Sequence, residues 1–342
     1  MVLDDNNEEI GERGQLGQYR LFGHTIASTR PLASWLPPSS DPPDLTISFV
    51  SQGPIEWNPA DTVPAFSSQM KTDEGKSILT LYILGACKMI RFLEYADFYL
   101  WPERLVCRLH EEAPTHLIRS FLFTNVLPFW LELKGYVTIH ASAVNISGNA
   151  IAFLAHSRNG KSTLAASLVR EGFPLLTDDV LPIRPQAGLH PGVQDRSYWA
   201  SPGYPAMRMW PGEAEHFLAE YEHLERVHPE LSKRYVPVGD DQFGPFCNHP
   251  CPLERIYILE RRETSDLLAG LEMKRVSHRD ALIELLRYSF ITRLAEAVGL
   301  AADRFDFFSS LVQKVPVHRL IYPSGYEHLP EIRRSILSDL SG

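Results

Sequence analysis

The residues of this chain that could do chemistry gather in one stretch. An apolar run at 150–155 breaks into a polar loop, His156-Ser157-Arg158-Asn159-Gly160, which continues as Lys161-Ser162-Thr163. A second apolar run, at 173–176, ends in Thr177-Asp178-Asp179. Loop N–H groups that converge ahead of a helix N-terminus stabilise the negative charge of a polyphosphate. A lysine placed like Lys161 reaches the β- and γ-phosphates, and a hydroxyl placed like Ser162 can hold Mg2+. Phosphoryl transfer also needs one carboxylate to take the proton of the attacking hydroxyl and another to help hold the metal. Asp178 and Asp179 supply two carboxylates.

Such residues need a strand before the loop, a helix after it and a second strand to carry the acids. The pattern predicts all three: a strand at 150–155, a helix apolar at 164, 165, 168 and 169 that stops at Gly172, and a strand at 173–176. Together they make a phosphate-binding βαβ unit, with residues 157–163 as its nucleotide-binding loop. The loop opens on Ala155 where the usual pattern has glycine, and alanine serves there when its φ is negative. Arg158 adds a cation beside the phosphates. Arg208 and the pair Lys233-Arg234 could supply a second phosphate clamp, because transfer needs charge compensation on the moving group. Upstream, 136–144 reads as a strand carrying His140, followed by a Ser147-Gly148-Asn149 turn.

A strand with a histidine, a tight hairpin, a phosphate loop, a helix and a strand ending in Asp-Asp resembles the catalytic domain of HPr kinase/phosphorylases. The likeness is closer to the HPr-kinase-like tailoring kinases that modify precursor peptides, including those of lasso peptides. It is dense over 133–183 and thin elsewhere. Ser157, Gly160, Lys161 and Ser162 match the family's loop, whereas Ala155 and Arg158 depart from it. Thr163 stands where the bacterial enzymes usually have Glu, and their downstream glycine signature is missing; these departures argue against HPr as the acceptor. The resemblance implies an α/β P-loop kinase domain of HPr kinase type over 133–342, with ATP and Mg2+ as cofactors. It further implies Asp178 as general base, Ser162 and Asp179 on the metal side, and His140 orienting or exchanging a proton with Asp178. The implied function is an ATP-dependent kinase acting on a serine of a precursor peptide. A regulatory HPr kinase/phosphorylase and a non-catalytic nucleotide-binding regulator compete with it. The acid pair speaks against the regulator, since binding alone requires no base.

Length and composition bound these readings. A chain of 342 residues is comfortable for two domains. Hydrophobic content of 44% with 22% charged residues is ordinary for a globular protein, and a formal net charge of −9 disfavours contact with nucleic-acid phosphates. The acidic N-terminus has no apolar signal segment, and the most apolar stretch, 117–133, contains Arg119, Pro128 and Glu132. The expectation is therefore a cytoplasmic protein with no nucleic-acid or membrane partner, free to form a homo-oligomer.

Short apolar runs at 18–28, 45–50, 77–84, 89–93, 98–101 and 104–109 predict a mainly β N-terminal domain. With a linking helix at 115–133, kinked by Pro128, that domain spans 18–132 behind a flexible arm at 1–17. Beyond the acids, strands are expected at 180–184, 253–261 and 317–323, and helices at 213–226, 277–298, 303–315 and 328–340. Segments 185–212 and 227–252 read as long loops that could wall an acceptor cleft. Cys87 and Cys107 read as core residues. Cys247-Asn248-His249-Pro250-Cys251 offers half of a zinc ligand set, but the other cysteines lie far off in the chain, and the segment reads as a loop.

Overall fold

The computed structural model describes residues 17–58, 61–110, 113–156, 159–186, 197–228, 231–239, 242–262 and 270–341. Ser157, Arg158 and all of the expected arm except Gly17 lie outside the described residues.

Eight strands build the first sheet: β1 (Gly17–Leu21), β2 (His24–Ser28), β3 (Leu45–Val50), β4 (Phe66–Ser67), β5 (Leu79–Leu84), β6 (Cys87–Phe92), β7 (Ala96–Leu100) and β8 (Arg104–Leu109). Their order is β1-β2-β3-β8-β7-β6-β5-β4. Phe22 and Gly23 turn the first hairpin with φ of 54° and 78°, the left-handed pair that a tight hairpin turn requires. Cys87 and Cys107 are buried in this sheet, as expected.

The linking helix forms as α1 (Thr115–Phe121), a π-helical turn over Leu122–Val126, and α2 (Leu127–Leu133). The expected kink takes the shape of this widened turn just ahead of Pro128, a residue with no N–H to give to a regular ladder. Beyond it, Trp130 donates its indole N–H to the Pro102 carbonyl at 2.8 Å. Glu132, fully inside, accepts from the Thr138 N–H at 2.7 Å and hydroxyl at 2.8 Å and pairs with the buried Arg304.

The remaining strands are β9 (Val137–His140), β10 (Ser142–Ile146), β11 (Asn149–Leu154), β12 (Leu175–Thr177), β13 (Val180–Gln186), β14 (Ser197–Ala200), β15 (Ala206–Met209), β16 (Arg226–His228), β17 (Leu231–Pro237), β18 (Cys251–Arg262), β19 (Glu272–Arg275) and β20 (Val317–Pro323). The remaining helices are α3 (Lys161–Arg170), α4 (Pro211–Phe217), α5 (His278–Arg287), α6 (Thr292–Ala297), α7 (Ala301–Lys314) and α8 (Leu329–Ser341). The second sheet runs β12-β10-β11-β18-β14-β13-β9, with β20 beside β18 and β19 beside β20; β15, β17 and β16 form a separate small sheet. Helices α5 and α7 cover one face through Leu285, Phe308 and Leu311. The other face packs on α3 and α8 through Leu164, Leu168, Ile332 and Ile336. Each aliphatic side chain buried this way contributes roughly 1.5–3 kcal/mol. Among the described residues no helix is long and apolar enough to cross a membrane.

The expected βαβ unit is present in a split form. β11 and β12 both run antiparallel to β10, which lies between them, so the crossover through α3 steps over one strand. The strand expected at 136–144 divides at Ala141, because β9 pairs with β13 while β10 pairs with β11 and β12. Only Ala141 separates β9 from β10, although the two stand at opposite parts of the sheet path. Asp178 and Asp179 alone separate β12 from β13, across the same gap. The two crossings touch where the Ala141 N–H donates to the Asp179 carbonyl at 3.2 Å. The acid pair therefore sits on a seam of the sheet.

Three further expectations change. The helix foreseen at 213–226 ends at Phe217, because Glu225, Arg226 and His228 are drawn into pairing with β17, including Tyr235 N–H to Glu225 carbonyl at 2.9 Å. The segment at 227–252 is correspondingly less irregular. The helix foreseen at 277–298 breaks after α5, where residues 288–290 pair with the edge strand β9: His140 N–H donates to the Tyr288 carbonyl at 2.8 Å and Phe290 N–H to the Thr138 carbonyl at 3.0 Å. An open sheet edge takes these backbone groups out of the helical ladder. Ser277 does cap α5, accepting from the Asp280 N–H at 3.2 Å.

Candidate functional site

β11 ends at Leu154, ahead of the expected phosphate loop, and α3 starts at Lys161 behind Gly160. Gly160 has φ of +83°, and a Cβ there would stand 2.8 Å from the Tyr322 hydroxyl and 3.0 Å from the Arg261 guanidinium. Glycine is thus required both for the turn and for the close approach. The Tyr322 hydroxyl donates to the Asn159 carbonyl at 3.1 Å, which ties the loop to the last strand, β20. Ala155 is not among the residues with positive φ, so its methyl is accommodated where glycine was expected. In the first turn of α3, Lys161 and Thr163 are buried. Thr163 donates to Glu213 at 2.9 Å, and the other oxygen of Glu213 accepts the Trp210 N–H at 3.0 Å.

The acids arrive from β12. Asp178 accepts from the Ser142 hydroxyl at 2.6 Å and from the Arg208 backbone N–H at 2.8 Å. Burial pushes its carboxyl above the ordinary aspartate range, although the Arg208 N–H and the hydroxyls of Ser142 and Ser162 pull the other way. Burial also works against the charge of Asp179. The Arg208 guanidinium, paired with it, and His140, with Nδ1 3.3 Å away, outweigh that effect and hold the carboxyl well below its usual range. Burial lowers the proton affinity of Lys161 and Lys233, while the acid pair acts in the opposite sense on both.

Lys161, Ser162, Asp178, Asp179, His140, Arg208 and Lys233 thus come together in one buried site. Two placements differ from expectation. His140 meets Asp179 and not Asp178, because β9 registers Val180 opposite His140 and so brings the histidine alongside the residue just before Val180. The Ser162 hydroxyl, expected to share a metal with Asp179, acts on Asp178. Arg234 stands apart: side chains alternate along β17, and while Lys233 turns inward over the Trp210 ring, Arg234 donates to the Leu224 carbonyl. Arg208 is already committed to Asp179.

Sequence reasoning missed several participants. Ser142 lies on the strand that follows His140 and could have been found from that proximity. Glu213, Arg261 and Tyr322 reach the loop from distant segments and leave no local signal. Tyr204 and Tyr235 lie near Arg208 and Asp179, and burial keeps both phenols neutral; their hydroxyls, like the Arg208 Nε, are buried without a hydrogen-bond partner. Buried polar atoms of that kind leave capacity for a polar ligand or water. Beside Gly160 opens a cavity of about 280 Å3, lined by Thr163, Trp210, Glu213, Arg261, Tyr322 and Tyr326 among others. A left-handed Gly160 at the head of α3, a buried lysine and a hydroxyl beside a carboxylate fit a magnesium nucleotide.

No protein-family model matches the sequence, and no curated protein does. Among solved structures, the chain is similar to the HPr(Ser) kinase/phosphatase from Coxiella burnetii, at a TM-score of 0.32 and 11% identity, with 60% of this chain and 99% of that chain covered.

Proposed function

We propose that this chain is an ATP-dependent serine kinase of the HPr-kinase-like type that acts on a peptide hydroxyl. One observation carries the reading: a buried lysine at a helix N-terminus lies against a buried acid pair, one carboxylate of which also takes the Ser162 hydroxyl. Residues 155–163 would bind the phosphates of ATP, and the cavity lined by Trp210, Tyr322 and Tyr326 would receive its base. Mg2+ would be held by Ser162 and Asp179 and would offset charge on the phosphates. Asp178 is the general base, since burial raises its proton affinity and Ser142 and the Arg208 N–H fix its two oxygens. Asp179 and His140 hold the Arg208 guanidinium in place, where with Lys233 it compensates charge on the transferred group.

Under this reading the chain divides into an arm at 1–17, a mainly β region at 18–132 and the catalytic region at 133–342, and works in the cytoplasm without a nucleic-acid or membrane partner. The departures at Ala155, Arg158 and Thr163 from the HPr enzymes speak against HPr as the acceptor, and the resemblance to tailoring kinases suggests a precursor peptide, of the lasso type, in its place. MgATP should raise the melting temperature of the wild-type protein but not of Lys161→Ala. Label from the γ-phosphate should pass to a serine-bearing precursor peptide of the lasso type. Unchanged ATP affinity in Lys161→Ala removes the phosphate-loop reading. Label on HPr alone favours the regulatory kinase, and label on neither acceptor while ATP binds favours the nucleotide-binding regulator.

A further inference from the structure

At the opposite end of β10 from Ser142, the short segment before β18 folds three metal-ligating side chains onto one point. The sulfurs of Cys247 and Cys251 lie 3.5 Å apart. The Nδ1 of His249 is 3.8 Å from the first and 3.7 Å from the second. Tetrahedral zinc, with Zn–S of about 2.3 Å and Zn–N of about 2.0–2.1 Å, needs ligand edges of about 3.8 Å between sulfurs and about 3.5 Å between sulfur and nitrogen. The three observed edges fall within about 0.3 Å of those values; the exposed His249 ring, whose Nδ1 also lies 3.4 Å from the Pro250 carbonyl and whose Nε2 is 3.9 Å from the Cys247 sulfur, would turn to aim a lone pair at the ion. All three atoms lie within 4.8 Å of one another, and no fourth His, Cys, Asp or Glu among the described residues joins them.

We propose that Cys247, His249 and Cys251 form a zinc site whose fourth position is taken by water. Read as sequence, this segment was a loop lacking partner cysteines; the fold shows that it needs none from elsewhere. Two thiolates and an imidazole are the donor set of a borderline-soft cation, not of Mg2+ or Ca2+. Both cysteines are buried and His249 is exposed, which places the water-bearing side toward solvent. Asn145 of β10 directs its amide nitrogen at the Cys251 sulfur at 2.9 Å and at the Cys247 sulfur at 3.7 Å. Such N–H donors steady metal-bound thiolates and orient them. The same segment is stitched to β12, since the Cys247 N–H donates to the Leu175 carbonyl at 2.8 Å and the Leu175 N–H to the Pro245 carbonyl at 2.9 Å. The ion would thus brace the stretch 247–251, which these backbone hydrogen bonds join to the strand that delivers Asp178. The site does not depend on the nucleotide reading.

The test uses the full chain, purified under reducing conditions and reconstituted with zinc alone, its metal content read by atomic emission. One zinc per chain is expected, and a melting temperature that falls when the zinc is chelated. Cobalt in its place should show a thiolate-to-metal absorption with the visible bands of a tetrahedral ion. That spectrum needs no substitution, so the proposal stays exposed even if a variant misfolds. Cys251→Ser should lose the ion, His249→Ala should hold it more weakly, and Cys87→Ser should retain it fully. Zinc retained by Cys251→Ser would overturn the site. So would a reduced wild-type chain that takes up neither metal and instead forms a Cys247–Cys251 disulfide in air.

Discussion

Replacing Gly160 by alanine tests the phosphate loop at its most constrained point. An L-residue held at φ of +83° costs about 1–2 kcal/mol. The new methyl would also stand 2.8 Å from the Tyr322 hydroxyl, too close for any real contact. That hydroxyl cannot withdraw without loosening its 3.1 Å hydrogen bond to the Asn159 carbonyl, worth about 1 kcal/mol. The sum is roughly 2–3 kcal/mol, which weakens ATP binding by roughly 30- to 150-fold if the free loop relaxes and binding must restore it. If the loop does not relax, the same amount appears as lost stability. Calorimetric titration with MgATP together with urea unfolding captures both shares. Tyr322→Phe alone should lose the same amount, about 1 kcal/mol, and Gly160→Ala/Tyr322→Phe should lose no more than Gly160→Ala, because the hydrogen bond can be lost only once. A combined loss of less than about 1 kcal/mol in Gly160→Ala, or fully additive losses in the double variant, would refute the reasoning.

Asp178→Asn should keep ATP affinity and lower turnover by roughly 10²–10⁴, and in the wild type the acid limb of the activity profile should lie above the ordinary aspartate value of about 3.9, because burial raises this carboxyl; full turnover in the variant would show that Asp178 is not the base. Asp179→Asn should cost about 3–5 kcal/mol at neutral pH by leaving Arg208 buried and unpaired. Asp179 has a depressed folded-state pKa, so its stabilisation is present above the unfolded value and lost as pH falls toward the folded one. The gap in urea midpoint between wild type and Asp179→Asn should therefore shrink below about pH 4, and a gap independent of pH would count against the ion pair.

Much of this arrangement was legible in the residues, for particular reasons. The loop, the helix after it and the acid pair are adjacent in the chain, and local pattern carries them. Most of the first sheet was visible as apolar runs broken by turns, because most of its pairings are between neighbours, although the run at 18–28 folds as the two strands β1 and β2, and β4 was not foreseen. What escaped was decided by partners distant in sequence. Residues 288–290 have helical spacing on both sides, yet the free edge of β9 claims their backbone. Nothing near Ala141 marks it as a break, since the break exists only because β9 and β10 pair with different strands. The partner of His140 was misjudged for the same reason: register across β13 sets it, and register is a property of two segments at once. Cys247, His249 and Cys251 were set aside for want of further cysteines, because how near the three side chains come is visible only in the fold.

The widened turn at Leu122–Val126 has a consequence for how the chain can change. One residue more than a regular helix would hold is accommodated there, and each residue of α-helix rotates the face it presents by about 100°. Trp130 and Glu132 lie downstream of that inserted step, and each grips a different sheet, one at Pro102 and the other at Thr138. Deleting a single residue from the turn would leave the composition almost untouched and yet swing both side chains about a quarter-turn from their partners. The spacing of this segment is therefore a phase constraint between the two sheets. Sequences descended from this one should tolerate substitutions in the turn far more readily than a change in its length.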